Sequence, residues 1–439
     1  TVTLDLNGNV LKMTGSDSVI KVEADGDLTI QDRNTTTQHT FNPHCKYQFW
    51  YIDMWELDKD GSEIVSGGVI TGGGGDQNSG VLVAGGTLTM AGGSIVGCSA
   101  RSRGGGVYLG KDSDTGKSGT FIMTSGSIIG CAAQLGGGVY VTSGCTFVMA
   151  TSSNIHNCIA NNDGGGVINH GTFQMRGGTI STCTTVAFGG GGVCNNGTFI
   201  MSDGMIKGCT SPDGQYASGG GVRNSNQFTM TGGMIGDPDN ENDASHVYNT
   251  SSQETTLTIS GNAKIYTDIT NVGILNADGG EIAGTMTNDT NRYGTGSEGA
   301  AGSTEFHGKV TNTGTIRKGT FKNEVINESS GTINGGTFTG AITNNDGTVL
   351  DGDFSGATLN GMLVITFDPN NGDQPSTQKV NWSKDGAALT APDPVPTNEG
   401  HSIEGWYYDN NGTETKWNFD TDTVKCTMTL KAKWELSTY

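Results

Sequence analysis

The sequence predicts an all-β chain whose main body is a parallel β-helix, a solenoid of short stacked strands. The first observation is a repeat of 26 to 33 residues. Each copy contains a methionine, at Met90, Met123, Met149, Met175, Met201 and Met230. The second is composition: 73 of 439 residues are Gly and 8 are Pro, which favours strands joined by tight turns. The third is that no window carries the 3.6-residue apolar period of a helix. Such a repeat buries its apolar side only by stacking on its neighbours.

Three inward-facing columns define one turn of the coil. Along residues 119–123 the side chains alternate between faces, so Phe121 and Met123 point inward and Ile122 points outward. The Phe column continues at Phe147, Phe173, Phe199 and Phe228, with Leu88 before them. An Ile column and a Val column follow in each repeat, at Ile95, Ile128, Ile155, Ile180, Ile206 and Ile235, and at Val107, Val139, Val167, Val193 and Val222. Three columns predict three short strands per turn.

Two further columns contain polar or sulfur-bearing side chains. Asn169, Asn195 and Asn224 recur two residues after the Val column, and stacked asparagines can pair their amides from turn to turn. Five of the nine cysteines share one register, at Cys98, Cys131, Cys158, Cys183 and Cys209. We interpret them as a buried column of small side chains, while disulfide bonds or metal binding remain the alternatives.

The repeat divides the chain into two domains. We predict a β-helix over residues 1–362, with an insertion at about 34–63 and tighter coils from about residue 290. In the tighter coils Phe and Asn recur every 15 to 17 residues, at Phe306, Phe321, Phe338 and Phe354, and at Asn312, Asn327, Asn344 and Asn360. The period ends near Leu363, where prolines and tryptophans cluster, so residues 363–439 are predicted to form a separate small β-rich domain.

Charge and targeting signals restrict the partners. The formal net charge of −20 argues against nucleic acid and against anionic membranes, which both attract basic surfaces. No signal peptide and no apolar run long enough to span a bilayer is present, so we predict no direct membrane insertion. We expect the sequence to be trimmed and the protein to be secreted or cell-wall associated.

Aromatic side chains supply the candidate ligand-binding residues. The run from Tyr47 to Trp55, with Trp50, Tyr51 and Trp55, suits a sugar-stacking platform or, as the alternative, a flap that packs across the coil. Tyr108 and Tyr140 occupy adjacent turns outside the coil and form a second, smaller candidate.

One acidic loop is a candidate metal site. Its acids alternate, at Asp237, Asp239, Glu241 and Asp243, so that their oxygens could converge on one calcium ion as in the first half of an EF-hand loop. Asn242 stands where that loop needs Gly, and a solvated acidic turn is the alternative. We therefore expect no cofactor, with calcium at this loop as the alternative.

The outward columns carry no acid–base pair. A glycoside hydrolase needs two carboxyl groups on either side of one bond, about 5 to 10 Å apart, yet the outward positions beside the three inward columns contain no Asp or Glu. The acids lie in turns, and Asp351 and Asp353 are the nearest to a pair. Catalytic residues are therefore not assigned.

Two resemblances complete the sequence evidence. Residues 364–372, 400–407, 417–419 and 429–434 resemble, in order, the motifs of a Listeria–Bacteroides repeat, a small β-rich, β-grasp-like module of bacterial surface proteins. The Gly-Gly-Gly-Val and Gly-Thr-Phe-x-Met repeats resemble the pectate-lyase-like, right-handed β-helix regions of Firmicutes surface proteins. These resemblances imply a right-handed solenoid on the cell surface.

Together these observations favour a non-catalytic adhesin or spacer that binds a host or microbial surface polymer, with glycan as one candidate. A polysaccharide lyase or glycoside hydrolase that uses loop acids is the alternative. A purely structural stalk is the third hypothesis.

Overall fold

Strands and turns make up the whole of the described chain, and no helix is assigned in it. The computed structural model describes residues 1–46, 53–74, 79–212, 219–240, 243–250, 255–288, 304–317, 319–410 and 412–437. The chain forms two compact units, residues 1–285 and 286–439. The predicted fold class is confirmed: a right-handed parallel β-helix is followed by a small β-rich region.

The first unit contains three parallel sheets, each formed by one strand position of successive turns. The largest sheet, called here the long-strand sheet, consists of Val2–Asp5, Val10–Met13, Asp27–Gln31, Val69–Gly72, Thr87–Val96, Thr120–Ile129, Thr146–His156, Thr172–Ser181, Thr198–Lys207, Gln227–Met230, Met234–Ile235, Thr256–Ile265 and Ile274–Ile282. The short-strand sheet consists of Ile20–Val22, Val81–Ala84, Val107–Gly110, Val139–Val141, Val167–Asn169, Val193–Asn195, Val222–Asn224, Val247–Asn249 and Ile269–Asn271. A third sheet contains Ser99–Arg103, Ala132–Leu135, Ile159–Asp163 and Thr184–Thr185.

The predicted columns are in register and fully buried. Met123 pairs with Met149, and Met149 with Met175, in neighbouring parallel strands. Rings of the Phe column stack face to face, with centroids 4.9 Å apart for Phe121 and Phe147. The five cysteines of the predicted column are free and no more than 1% exposed. The repeat therefore places identical side chains directly above one another.

Buried asparagines form a continuous hydrogen-bonded ladder inside the short-strand sheet. The Nδ2 of Asn169 donates to the Oδ1 of Asn195 over 2.8 Å, and Asn195 donates in the same way to Asn224. Asn249 and Asn271, which the repeat pattern did not reveal, extend the ladder with distances of 2.7 and 2.8 Å. All five side chains are 0% exposed. Each amide thus supplies its neighbour with the hydrogen bond that water would otherwise make, because buried polar groups need a partner.

The coil narrows earlier than predicted. In the first unit Thr256 pairs with Ile274 and Ile265 with Ile282, an advance of 18 and 17 residues. The shorter period therefore begins before residue 290.

The second unit begins with the same architecture on the shorter period. Its strands occupy two positions per turn: Glu305–Phe306, Thr315–Ile316, Thr320–Phe321, Thr332–Phe338 and Thr348–Asp353 in one sheet, and Met286–Asn288, Val310–Asn312, Val325–Asn327, Ala341–Asn344 and Thr358–Asp368 in the other. Asn312 donates to Asn327, and Asn327 to Asn344, over 2.8 and 2.7 Å. The placement of Asn360 in this column was wrong. Gly361 lies opposite Asn344, and Asn360 is exposed one position away.

One strand belongs to both the coil and the C-terminal sheet. Thr358–Asp368 pairs in parallel with Ala341–Asn344 at its start, and from Met362 onward it pairs antiparallel with Ser376–Asn381. The C-terminal sheet runs in the order Ser376–Asn381, Thr358–Asp368, Thr429–Leu436, His401–Asn410 and Thr413–Lys416, with its second and third strands parallel. The predicted boundary at residues 362 and 363 thus falls inside a continuous strand.

The ladder makes a prediction for stability. Asn327→Ala removes a buried amide that bonds to both neighbouring asparagines, which leaves donors and acceptors unsatisfied. We expect the free energy of unfolding to fall by about 3 kcal/mol, measured by urea denaturation. Asn360→Ala is the matched control, since that exposed side chain lies outside the ladder, and equal losses in both variants would contradict the assignment.

Candidate functional site

The outward face of the short-strand sheet carries aromatic, apolar, thiol and cationic side chains in successive turns, and we call it the outer column. Register between neighbouring strands aligns Tyr108, Tyr140, Ile168, Cys194, Arg223 and Tyr248 along it. Because rungs are about 4.8 Å apart, these six positions form a line along the coil surface. The sequence predicted only the two tyrosines as site residues.

The tyrosine pair is stacked as predicted but is largely covered. The rings of Tyr108 and Tyr140 lie 5.5 Å apart with an interplanar angle of 20°. The guanidinium carbon of Arg103 lies 5.2 Å from the centroid of the Tyr140 ring, and the His170 ring lies 5.4 Å from it on another side. Tyr140 is only 6% exposed, and burial raises the pKa of its hydroxyl. Tyr108 and the cation of Arg103 are therefore the accessible parts of this cluster.

Further along the outer column, a carboxylate and a guanidinium flank a buried thiol. The Sγ of Cys194 lies 3.9 Å from the Oδ1 of Asp163 and 3.9 Å from the Nη1 of Arg223. Burial, reinforced by Asp163, raises the pKa of Cys194 to about 12, so the thiol is protonated and unreactive at neutral pH. Burial also raises the pKa of Asp163. Perturbed ionisable groups often mark functional surfaces, and the sequence alone identified Asp163 only as a turn residue.

The insertion folds as a three-stranded antiparallel flap that packs on the long-strand sheet. Gln38–Lys46 pairs with Asp53–Leu57 on one side and Glu63–Ser66 on the other. Trp55, 7% exposed, lies in a cluster whose other buried members are Phe41, Val65, Val69, Val96 and Ile129. Its backbone N–H donates to the carbonyl of Gly130 over 3.0 Å. The flap thus covers Val96 and Ile129. This contact explains why these two outward-facing positions are apolar, which the sequence alone did not explain.

The predicted ligand residues of the insertion separate into two groups. Trp50 and Tyr51 lie outside the described residues. Trp55 faces the coil, so in this arrangement its indole is packed against protein and does not present an open stacking surface. Its ring also contacts His156 edge-on, with centroids 6.4 Å apart. Burial lowers the pKa of His156.

Two carboxylates of the predicted calcium loop bind the chain's own donors. Both oxygens of Asp243 accept from the backbone N–H of Gly208 over 3.0 Å, and one accepts from the N–H of Ser245. Asp237 forms an ion pair with Lys207 over 3.0 Å, and this contact lowers its pKa. Asp239 is exposed, and Glu241 lies outside the described residues. Calcium binding here remains a prediction.

In the described ranges, no group of three or more His, Cys, Asp or Glu residues is placed to hold a metal ion. Asp351 and Asp353 are exposed, and their carboxylates accept from the backbone N–H groups of Gly352 and Ser355. Hydrogen bonds from the Ser355 hydroxyl and from its backbone N–H lower the pKa of Asp353.

Two grooves of the second unit are lined by both aromatic and polar residues. A groove of about 510 Å³ has Phe367 and Trp406 at its base, with Ser376, Gln378, Pro392, Asp393 and Pro394 among its walls. A larger groove of about 880 Å³ is lined by Leu350, Tyr407, Tyr408, Glu414, Trp417 and Cys426 among others. Both combine aromatic surface with hydrogen-bonding groups, as ligand sites do.

Comparison with known proteins identifies the C-terminal module. Residues 364–433 match the family model of the Listeria-Bacteroides repeat domain. A "Putative Gly-rich membrane protein" of Evansella cellulosilytica is 45% identical over 76 residues, which cover 17% of this chain and 8% of that protein. A "Putative membrane protein" of the same organism is 43% identical over 78 residues, 18% of this chain and 11% of that protein.

These matches span about a tenth of each relative's length. No solved structure matches the chain. Within the part of the chain that the structure describes, no helix is long and apolar enough to cross a membrane.

The contact between Trp55 and His156 predicts a pH effect. Trp55→Ala removes the indole that packs on His156 and exposes the imidazole to water. The lowered pKa of His156 should therefore rise toward the ordinary value of about 6.5. Because the native pKa is lowered, neutral His156 contributes stability above about pH 6.5, and this contribution is lost as the pH falls through the native pKa. NMR titration of the histidine ring protons measures the change.

His170 is the matched control for that titration. Its pKa is also lowered by burial, and by Arg103, but in the tyrosine cluster. An unchanged His156 pKa in Trp55→Ala, or an equal rise at His170, would contradict the packing described.

Proposed function

We propose that this chain is a non-catalytic bacterial surface protein, secreted or displayed on the cell wall, that binds a host or microbial surface polymer along its β-helix. The observation that carries the proposal is that the repeated polar side chains are buried inside the coil, while the exposed acids nearest to a pair are bonded to their own backbone. The stacked asparagines and the cysteine column face inward and are buried, while the exposed carboxylates Asp351 and Asp353 accept hydrogen bonds from adjacent backbone amides. A general acid needs a raised pKa, whereas that of Asp353 is lowered.

The surface location is supported by the C-terminal module and by the relatives' names. Listeria-Bacteroides repeats occur in surface proteins, and both relatives are named membrane proteins. The resemblance of residues 1–362 to pectate-lyase-like surface repeats remains a prediction from the sequence and agrees with this location.

The outer column is the binding surface that we propose. Its first half offers an aromatic edge at Tyr108, with the cation of Arg103 beside it. Its second half offers the cation Arg223, with the carboxylate of Asp163 beside it. An extended polymer suits such a line because its repeating units can meet successive rungs. Sugar rings pack on aromatic surfaces and bind charged or polar groups through their hydroxyls, which makes glycan the first ligand class to test.

Binding to a panel of neutral and acidic polysaccharides tests the proposal. Arg103→Ala should weaken binding to the preferred polymer about tenfold, the effect of losing one charge-assisted hydrogen bond. Arg176→Ala is the matched control, because Arg176 is exposed on the long-strand sheet and bonds to Gln174. Dissociation constants by surface plasmon resonance give the readout.

Cleavage of any polysaccharide, detected as new reducing or unsaturated ends, would refute the non-catalytic part of the proposal. Asp351→Asn and Asp353→Asn would then establish whether the loop acids act. Binding that is equal in the wild type, Arg103→Ala and Arg176→Ala would remove the outer column from consideration.

A further inference from the structure

The last turn of a β-helix has an exposed edge. In the second unit this turn is formed by Thr348–Asp353 and by the start of Thr358–Asp368. Its strands pair with the preceding turn, and without a cover their other side would present unpaired N–H and C=O groups and an open apolar interior. Such an edge invites pairing with other strands and is covered in native proteins.

An indole from the Listeria-Bacteroides repeat domain continues the aromatic column at this edge. Phe338 stacks on Phe354 with centroids 5.3 Å apart, and the Trp382 ring meets Phe354 edge-on at 5.0 Å. Trp382 is 4% exposed. Its backbone N–H donates to the carbonyl of Gly361, and its Nε1 donates to the carbonyl of Lys425, both over 3.0 Å. Trp382 therefore stands where the next turn would place a Phe.

A single threonine satisfies both backbone groups of Val349 at the edge of the last long strand. The backbone N–H of Thr427 donates to the carbonyl of Val349 over 2.6 Å. The Oγ1 of Thr427 accepts from the backbone N–H of Val349 over 3.0 Å. One residue thus replaces both the donor and the acceptor that a further strand would supply.

Two lysines of the same domain reach the rim of the last turn. Lys379 pairs with Asp346 over 2.6 Å, and Lys384 donates to the carbonyl of Ser355 over 3.0 Å. These exposed contacts add little stability, but they orient the domain over the edge.

We infer that the Listeria-Bacteroides repeat domain functions in this chain as the cap of the preceding β-helix. It takes the place of one further turn: Trp382 extends the aromatic column, Thr427 pairs with the open strand, and the shared strand Thr358–Asp368 fixes the distance between them. This role is separate from the polymer binding proposed above and stands without it.

Hydrogen–deuterium exchange of the full chain tests the cap. Trp382→Ala should accelerate exchange of the backbone amides in Ala341–Asn344 and Thr348–Asp353 by about tenfold or more. Trp434→Ala is the matched control, since Trp434 lies in the same domain and its Nε1 donates to the carbonyl of Pro369 instead of to a residue of the last turn. It should accelerate exchange in His401–Asn410 and leave the last turn protected.

A second variant tests the threonine without disturbing the domain. Thr427→Val keeps the shape of the side chain and removes only the acceptor of the Val349 N–H, so exchange should accelerate at Val349 specifically. Thr423→Val, which removes a hydroxyl bonded to the carbonyl of Asp385, is its control. Two results would overturn the inference. One is that the amides of the last turn exchange at the wild-type rate in both Trp382→Ala and Thr427→Val. The other is that Trp434→Ala accelerates their exchange as much as Trp382→Ala does.

Discussion

From Asn169 to Asn271, successive turns of the coil are linked by buried asparagine amides, each of which donates to the side-chain oxygen of the next. A carboxamide has a donor and an acceptor on one flat group, so it can serve the turn above and the turn below at once. The ladder tolerates neither a gap nor a shift, because a missing partner leaves a buried polar group without water. The Phe, Ile and Val columns begin in earlier turns, in which Val83, Leu109 and Val141 occupy the ladder position, and continue in the same register.

The interior is therefore nearly invariant from turn to turn, and variation is confined to the outside. Along the outer column the same position holds Tyr, Ile, Cys or Arg in successive turns. Along the long-strand sheet, the apolar Val96 and Ile129 are covered by the flap, whereas the later Lys207 forms an ion pair. The flap, the acidic loop and the outer column are thus different surfaces on one repeated core, and they are where the binding specificity of the first unit can vary.

The sequence predicted this core well because stacking converts spacing directly into contact. It missed Asn249 and Asn271, since neither lies beside a Gly-Thr-Phe-x-Met segment, and it misplaced Asn360 because equal spacing cannot reveal a shift of one residue. The sequence could not predict the packing of Trp55 or the burial of Asp163 for another reason. Both depend on contacts between segments far apart in sequence, the flap with Gly130 and Asp163 with Cys194, which no local pattern encodes.

The asparagine ladder also determines how such a protein can change its length. Adding a complete turn between Asn195 and Asn224 gives each old neighbour a new amide of the same kind, so the chain of donors stays unbroken. Adding one residue within a strand would instead turn its side chains to the opposite face. Genetic duplication can consequently lengthen this coil only by whole turns. Each added turn increases the length of the coil by one inter-strand distance.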